Sequence, residues 1–182
     1  MPIIANSDYI PKDLIGFNEA LTSKNTGSGV HFFIDDYQFE RIWREPDRYL
    51  TIIKRFDGML TPDFSLYADM PISLQIYNTY RSRFIGQYYQ LNEVDVLPTV
   101  GWSDYRSFDF CFNGLQTGGT VAVSTVGCMK NKNARKLWRD GFDEMNKRLK
   151  PKTIIIYGQE METETDAEII YFKNKIIERA RL

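Results

Sequence analysis

Continuous apolar runs alternate along this chain with stretches whose apolar residues recur every three or four positions. The runs cover residues 30–34, 58–60, 95–101, 120–126 and 153–157. Runs without polar alternation suit strands covered on both faces, as in parallel sheets. Pro98 interrupts the third run and weakens its ladder, since proline has no N–H to donate. Between the runs, residues 37–55 carry a helical pattern broken by Pro46, which predicts two short helices meeting near Glu45. Residues 105–115 are rich in phenylalanine and ambiguous in period, with Ser103 or Asp104 placed to cap them. Ala134, Leu137, Trp138, Gly141, Phe142, Met145 and Leu149 mark one face of another helix. A last helix is expected from Thr165, in a capping box with Glu168, to about Ala180. Ile169, Phe172, Ile176 and Ile177 face inward in that reading, and Arg179 and Arg181 suit its C-terminus.

The segment from Thr61 to Gln90 organises the rest. A short strand ends in the polar corner Pro62-Asp63-Phe64-Ser65. Asp69 is placed to cap the helix that follows, with Pro71 in its first turn. Positions 74, 77, 81, 84 and 88 share one stripe of that helix. Four are apolar or aromatic and the fifth is Arg81, which calls for an acidic partner among the strand-end aspartates or for an anionic ligand. Residues 1–29 read as an irregular arm, with a short helix over residues 11–21.

Repeated strand-then-helix units mean α/β. The expectation is a single domain, residues 30–182, of about five β-α units with a mainly parallel sheet. Its form is an open or partial barrel with TIM-like strand order. Such folds bring strand C-terminal ends to one edge, where ligand sites gather. Asp35, Asp36, Asp63, Ser65, Trp102, Ser103, Asp104, Ser124, Thr125, Tyr157, Gly158, Gln159 and Glu160 all fall at or just past strand ends. Asp35, Asp63 and Asp104 are the candidate acid or base groups. Asp36 or Asp63 is the candidate ligand if a metal binds, and magnesium suits hard carboxylates. Arg81, Arg83, Asn78, Trp102, Ser103, Thr125 and Tyr157 are the candidate ligand-binding residues, the arginines for a phosphate and the aromatics for stacking on a ring. Helix capping competes for each aspartate. Asp35 and Asp36 point to opposite sides of an extended chain, so at most one faces the site.

Composition narrows the chemistry. His31 is the only histidine, which excludes a histidine-based triad and a multi-histidine zinc site within one chain. Its position inside a strand suggests a buried neutral ring. Cys111 and Cys128 fall in different units and read as reduced thiols of a cytoplasmic protein. A net charge of −1 gives no global attraction to nucleic acid. A local run of lysines and arginines from Lys130 to Lys152 keeps a DNA-binding accessory role in view, against the commoner reading as solvated helix surface. No apolar run approaches the roughly 20 residues of a membrane span, and the N-terminus lacks the pattern of a signal peptide.

The run from His31 to Arg41, then Pro62-Asp63-Phe64-Ser65-Leu66-Tyr67, Asp69-Met70-Pro71, Asn78-Thr79-Tyr80-Arg81 and Pro98-Thr99-Val100-Gly101-Trp102-Ser103, resembles the bacterial and phage family called domain of unknown function 4417. The resemblance covers roughly residues 30–160. It implies a bacterial, phage or mobile-element source and brings no established activity. A fainter likeness, to the transglycosylase barrels that exchange guanine in tRNA, lies in Asp35 to Phe39, Pro62-Asp63, Pro98-Thr99-Val100 and Tyr157-Gly158. It lacks the zinc-binding set of those enzymes and supports strand order and site edge alone. Two functions are therefore carried forward. One is a phage or mobile-element protein that binds or processes a nucleotide or nucleic-acid base at the strand edge. The other is a non-catalytic protein that binds and modulates a host protein, which the surplus of aromatic residues would serve.

Overall fold

The computed structural model describes residues 1–128 and 130–174. Its strands are β1 (Leu14–Gly16), β2 (Gly29–His31), β3 (Gly58–Leu60), β4 (Val96–Leu97), β5 (Thr120–Ser124), β6 (Thr153–Tyr157) and β7 (Glu168–Phe172). The helices are α1 (Phe17–Ala20), α2 (Asp36–Arg44), α3 (Pro46–Ile53), α4 (Ile72–Leu91) and α5 (Lys132–Leu149), with a 3₁₀ helix over Tyr105–Asp109. All pairings are parallel and follow chain order, β1-β2-β3-β4 in one sheet and β5-β6-β7 in the other. The α/β class and the parallel sheet match the sequence expectation.

Pro98 accounts for the division into two sheets. Past β4 the ladder continues only as a bridge between Thr99 and Ala122. Ala122 N donates to Pro98 O at 2.9 Å and Val100 N donates to Ala122 O at 2.8 Å. Pro98 itself has no N–H to extend this pairing.

The seven strands curl into an open barrel. Leu14, Phe33, Leu60, Leu97, Ala122, Ile155 and Tyr157 form one buried cluster, with Ile170 and Phe172 packed against it. In a flat sheet β2 and β6, four places apart, would lie roughly 19 Å from each other. Instead the Tyr157 ring sits 4.4 Å from His31 and 5.1 Å from Phe33, centroid to centroid. Alternate residues point outward. Val30, Met59 and Val96 pack under α1 to α4, whereas Val121, Val123, Ile154 and Ile156 pack under α5. Among the described residues no strand joins β1 to β7, so the barrel is not closed.

Two elements differ from the sequence expectation. Residues 14–16 are a strand, and α1 is a single turn; Gly29 N donates to Asp13 O at 2.8 Å as β1 docks beside β2. Residues 168–172 form β7 where a helix is expected. The block Glu168-Ile169-Ile170-Tyr171-Phe172 is β-branched and aromatic, and pairing with β6 outweighs its helical spacing. Thr165 is no helix cap: its hydroxyl donates to Asn146 Oδ1 at 2.8 Å and accepts from Ala167 N. The expected continuation to Ala180, with Arg179 and Arg181, lies outside the described residues.

The two short helices meeting at Glu45 are present as expected. The start of α4 is not. Its N-cap is Pro71, and no side chain caps it. Gln75 instead ties the preceding loop to the helix, donating from Nε2 to Tyr67 O and Met70 O, both at 2.9 Å.

Candidate functional site

α4 runs back from the strand C-terminal edge with its amphipathicity reversed in its first half. Gln75, Asn78, Thr79, Ser82 and Arg83 are buried against β3 and β4, while Leu74, Ile76, Tyr77 and Tyr80 are exposed. One turn further, Ile85 and Tyr89 enter the apolar core normally. The polar half lies level with the strand ends, where the barrel stops and a cleft begins.

The cleft is lined by Pro62, Asp63, Phe64, Asn78, Thr79, Ser82, Arg83, Thr99 and Gly101 among others. It has about 240 Å³ of empty space, open solvent included, of which a water-sized body can occupy about 20 Å³, roughly one water molecule. Behind it stands a saturated hydrogen-bond network. Ser82 Oγ donates to Thr61 Oγ1 at 3.1 Å, and Thr99 Oγ1 donates to Thr61 O at 2.8 Å. Arg83, 2% exposed, donates to the carbonyls of Asn113, Thr99 and Cys111 at 3.2, 3.1 and 2.8 Å. Burial lowers its pKa to about 10, so it stays charged at neutral pH.

Asp63 faces this cleft, part-buried, and accepts no hydrogen bond from any described residue. Gly101 clears the approach, since a Cβ there would lie 3.3 Å from Asp63 Oδ1. Burial raises the Asp63 pKa to about 7; the Asp36 carboxylate adds to the rise and the Arg83 guanidinium opposes it. Cys128 is near enough that Asp63, after burial, helps push its thiol up to about 11. Asp63 is therefore a carboxyl poised to gain or lose a proton near neutrality, with its hydrogen-bonding capacity unspent.

The other expected site residues have structural partners. Asp36 turns inward and accepts from Ser65 N at 3.1 Å and Ser65 Oγ at 2.8 Å, tying β2 to β3. Asp35 is exposed at the N-cap of α2, and the helix starts on its backbone carbonyl, which accepts from Gln38 N at 2.9 Å. Asp104 caps the 3₁₀ helix and pairs with Arg106 at 2.7 Å, which holds its carboxyl below the usual range. Neither Asp35 nor Asp104 lines the cleft, and the expected trio of acids is not assembled.

Arg81 finds its acid on α2 rather than at a strand end. It donates from Nη1 to Glu40 at 2.8 Å and from Nη2 to Asn78 Oδ1 at 2.7 Å, with Phe64 beneath its guanidinium at 3.8 Å. Asn78 in turn donates to Ser65 O at 2.7 Å. Arg81, Asn78 and Arg83 thus hold the corner together and are spent as phosphate ligands.

Trp102 donates from Nε1 to Leu137 O at 3.1 Å and presses on α5 at Gly141, where a Cβ would lie 2.2 Å from the indole. Ser103 donates to Gln75 Oε1 at 2.7 Å. Thr125 accepts from Gln159 N at 2.7 Å and donates to Gln159 O at 2.9 Å, fastening β5 to β6. A side chain at Gly158, φ +123°, would meet that hydroxyl at 2.4 Å. Tyr157 stacks inside the barrel mouth. His31 is buried, and its Nδ1 accepts from Phe33 N at 3.1 Å, which requires that nitrogen to be unprotonated.

Thr61, Thr79, Ser82 and Thr99 were not among the site residues expected from the sequence. For Thr79 and Ser82 the signal was present in the helical wheel, where they share an arc with Gln75 and Asn78. Among the described residues no three His, Cys, Asp or Glu side chains are grouped to hold a metal. A magnesium ion here would rest on Asp63, with Asp36 nearby, and on water for its remaining ligands. No helix among the described residues is long and apolar enough to cross a membrane.

Comparison with known proteins gives a consistent relationship. A family model described as Domain of unknown function (DUF4417) matches residues 1–174. The Gene 1 protein of Mycobacterium phage L5 is 40% identical over 163 residues, covering 87% of this chain and 71% of the phage protein. The Gene 1 protein of Mycobacterium phage D29 is 38% identical over 162 residues, covering 87% of this chain and 60% of the phage protein. The chain therefore spans less than two thirds of the D29 protein. No solved structure matches. With the family model covering every residue up to Asn174, the chain belongs to the DUF4417 family.

Proposed function

We propose that the cleft beside β3 and β4 is a binding site of a phage or mobile-element protein, in which Asp63 exchanges a proton with, or hydrogen-bonds, the edge of a nucleobase. The observation that carries this reading is the Asp63 carboxyl itself: part-buried, unbonded among the described residues, and titrating near 7. The other polar side chains that line the cleft, Asn78, Thr79, Ser82, Arg83 and Thr99, all have hydrogen-bond partners, which leaves Asp63 as the lining group with free capacity. A carboxyl at that pKa presents two acceptors when ionised and a donor beside an acceptor when protonated. Those are the patterns complementary to the ring-nitrogen and exocyclic edge of a base. The cleft admits little more than one water-sized group, so a base would meet Asp63 by its edge, with the ring outside on the solvent side. With Arg81 and Arg83 committed, a phosphate on the ligand would stay at the cleft mouth.

The experiment is a thermal-shift series with nucleobases, nucleosides and nucleotides, with and without magnesium, on the wild type and on Asp63→Asn. The reading expects at least one base-bearing ligand to raise Tm, with the shift abolished or moved to a different base in the variant. A series in which nothing shifts, or in which both proteins respond alike, overturns it.

A further inference from the structure

The outer side of α4 is the least expected surface of the molecule. The helix has 20 residues, about 30 Å of length, and its two charges, Arg81 and Arg83, are both buried. Its outward stripe holds Leu74, Ile76, Tyr77, Tyr80, Phe84, Tyr88 and Leu91, and the one charge that shares this arc, Arg81, is tucked beside Tyr77 and neutralised by Glu40. Leu74 is 51% exposed, Tyr77 43%, Tyr80 38% and Leu91 78%. Trp43 of α2 sits edge-on to Tyr77, Tyr80 and Phe84 at 6.0, 6.3 and 5.5 Å and extends the stripe sideways. The helix cannot roll to hide this face, because Arg83 and Gln75 fasten its polar side inward through buried hydrogen bonds.

We propose that a second copy of this chain covers the stripe, with the two α4 helices packed against each other about a two-fold axis. Three observations favour that occupant. A stripe with no unpaired charge set against itself carries no like-charge penalty, as an isologous contact requires. The flanking segment carries exposed Arg44, Glu45, Asp47 and Arg48, two charges of each sign with Glu45 and Arg48 already paired, so it adds no net repulsion between two copies. The exposed side chains offer roughly 500 Å² per protomer, so a pair buries roughly 1,000 Å², the lower bound for a specific interface. A contact of that size predicts a dimer that dissociates on dilution.

The test is molecular mass by light scattering across a dilution series of the full chain, with Leu74→Glu, Tyr77→Glu and Leu91→Glu beside the wild type. At about 100 μM the wild type should be mainly dimeric, and each glutamate variant should be monomeric with an unchanged circular-dichroism spectrum. Leu91→Glu guards against misfolding, since Leu91 is the most exposed of the three. Lys136→Glu, on the exposed side of α5, should leave the dimer intact. A wild type that is monomeric at that concentration overturns the proposal, as do folded glutamate variants that remain dimeric. Binding of a different protein by a monomeric wild type would assign the face to that partner instead.

Discussion

Thr61 and Thr99 hold the ends of β3 and β4 by side chain as well as by ladder. Thr99 N donates to Thr61 Oγ1 at 2.9 Å, and Thr99 Oγ1 donates back to Thr61 O at 2.8 Å. Together with Ser82 they use up the polar groups behind the cleft. Asp63, two residues beyond Thr61, is left as the open acceptor.

The Asp63 carboxyl gives a pH signature. Its folded pKa of about 7 is raised above the ordinary aspartate value of 3.8. The native state then binds the proton more tightly than the unfolded chain, so this group's stabilising contribution is full below about pH 4 and falls as pH rises towards 7. Asp63→Asn should raise stability by about 2 kcal/mol at pH 8, allowing for its partial exposure, and by nearly nothing at pH 4. Urea melts at the two pH values measure this. An equal change at both would mean that Asp63 is not shifted.

Thr99→Val removes one hydroxyl, strands the Thr61 carbonyl and keeps the shape. The expected cost is about 1–3 kcal/mol, the usual penalty for leaving a buried polar group without its partner. Denaturant unfolding reads it. If the network also shapes the cleft, the nucleobase-dependent Tm shift should shrink with it.

Arg81 and Glu40 join α4 to α2 at 2.8 Å, with the guanidinium side chain 10% exposed and the carboxylate side chain 31% exposed. A double-mutant cycle with Arg81→Met and Glu40→Gln should give a coupling of about 1–2 kcal/mol, above that of a surface pair because Phe64 and Asn78 restrict the arginine. A coupling near zero would make the pair incidental.

Gly141→Ala tests the seat of Trp102. The added methyl meets the indole, so Trp102 must move and release its bond to Leu137. A loss of about 1–3 kcal/mol is expected, with a change in tryptophan fluorescence. Ala would otherwise favour a helix interior by about 1 kcal/mol, so even a neutral result implies strain.

The class and most elements were legible because the inner strands are continuous apolar runs and α5 has a clean apolar face. β7 was not, because Ile169, Phe172, Ile176 and Ile177 recur at helical steps, and only the neighbouring β6 draws residues 168–172 into a strand. The acid at the site was legible in Asp63, which follows a strand end directly. Asp35 and Asp104 share that position in sequence, but local geometry spends them on a helix start and on Arg106. The partner of Arg81 was misplaced because Glu40 comes from another helix, and no periodicity within one segment reports a contact 41 positions away.

Pro98 has a consequence for how this family can diversify. Because the sheet loosens there, the backbone from Thr99 to Gly101 is steered by hydroxyl contacts more than by a regular strand. Exchanging residue 99, which lines the cleft, together with residue 61, which holds it from behind, can therefore reshape one wall of the cleft while the barrel strands keep their pairing. On the proposed reading of the cleft, a change at those two places would alter what it accepts without altering the scaffold.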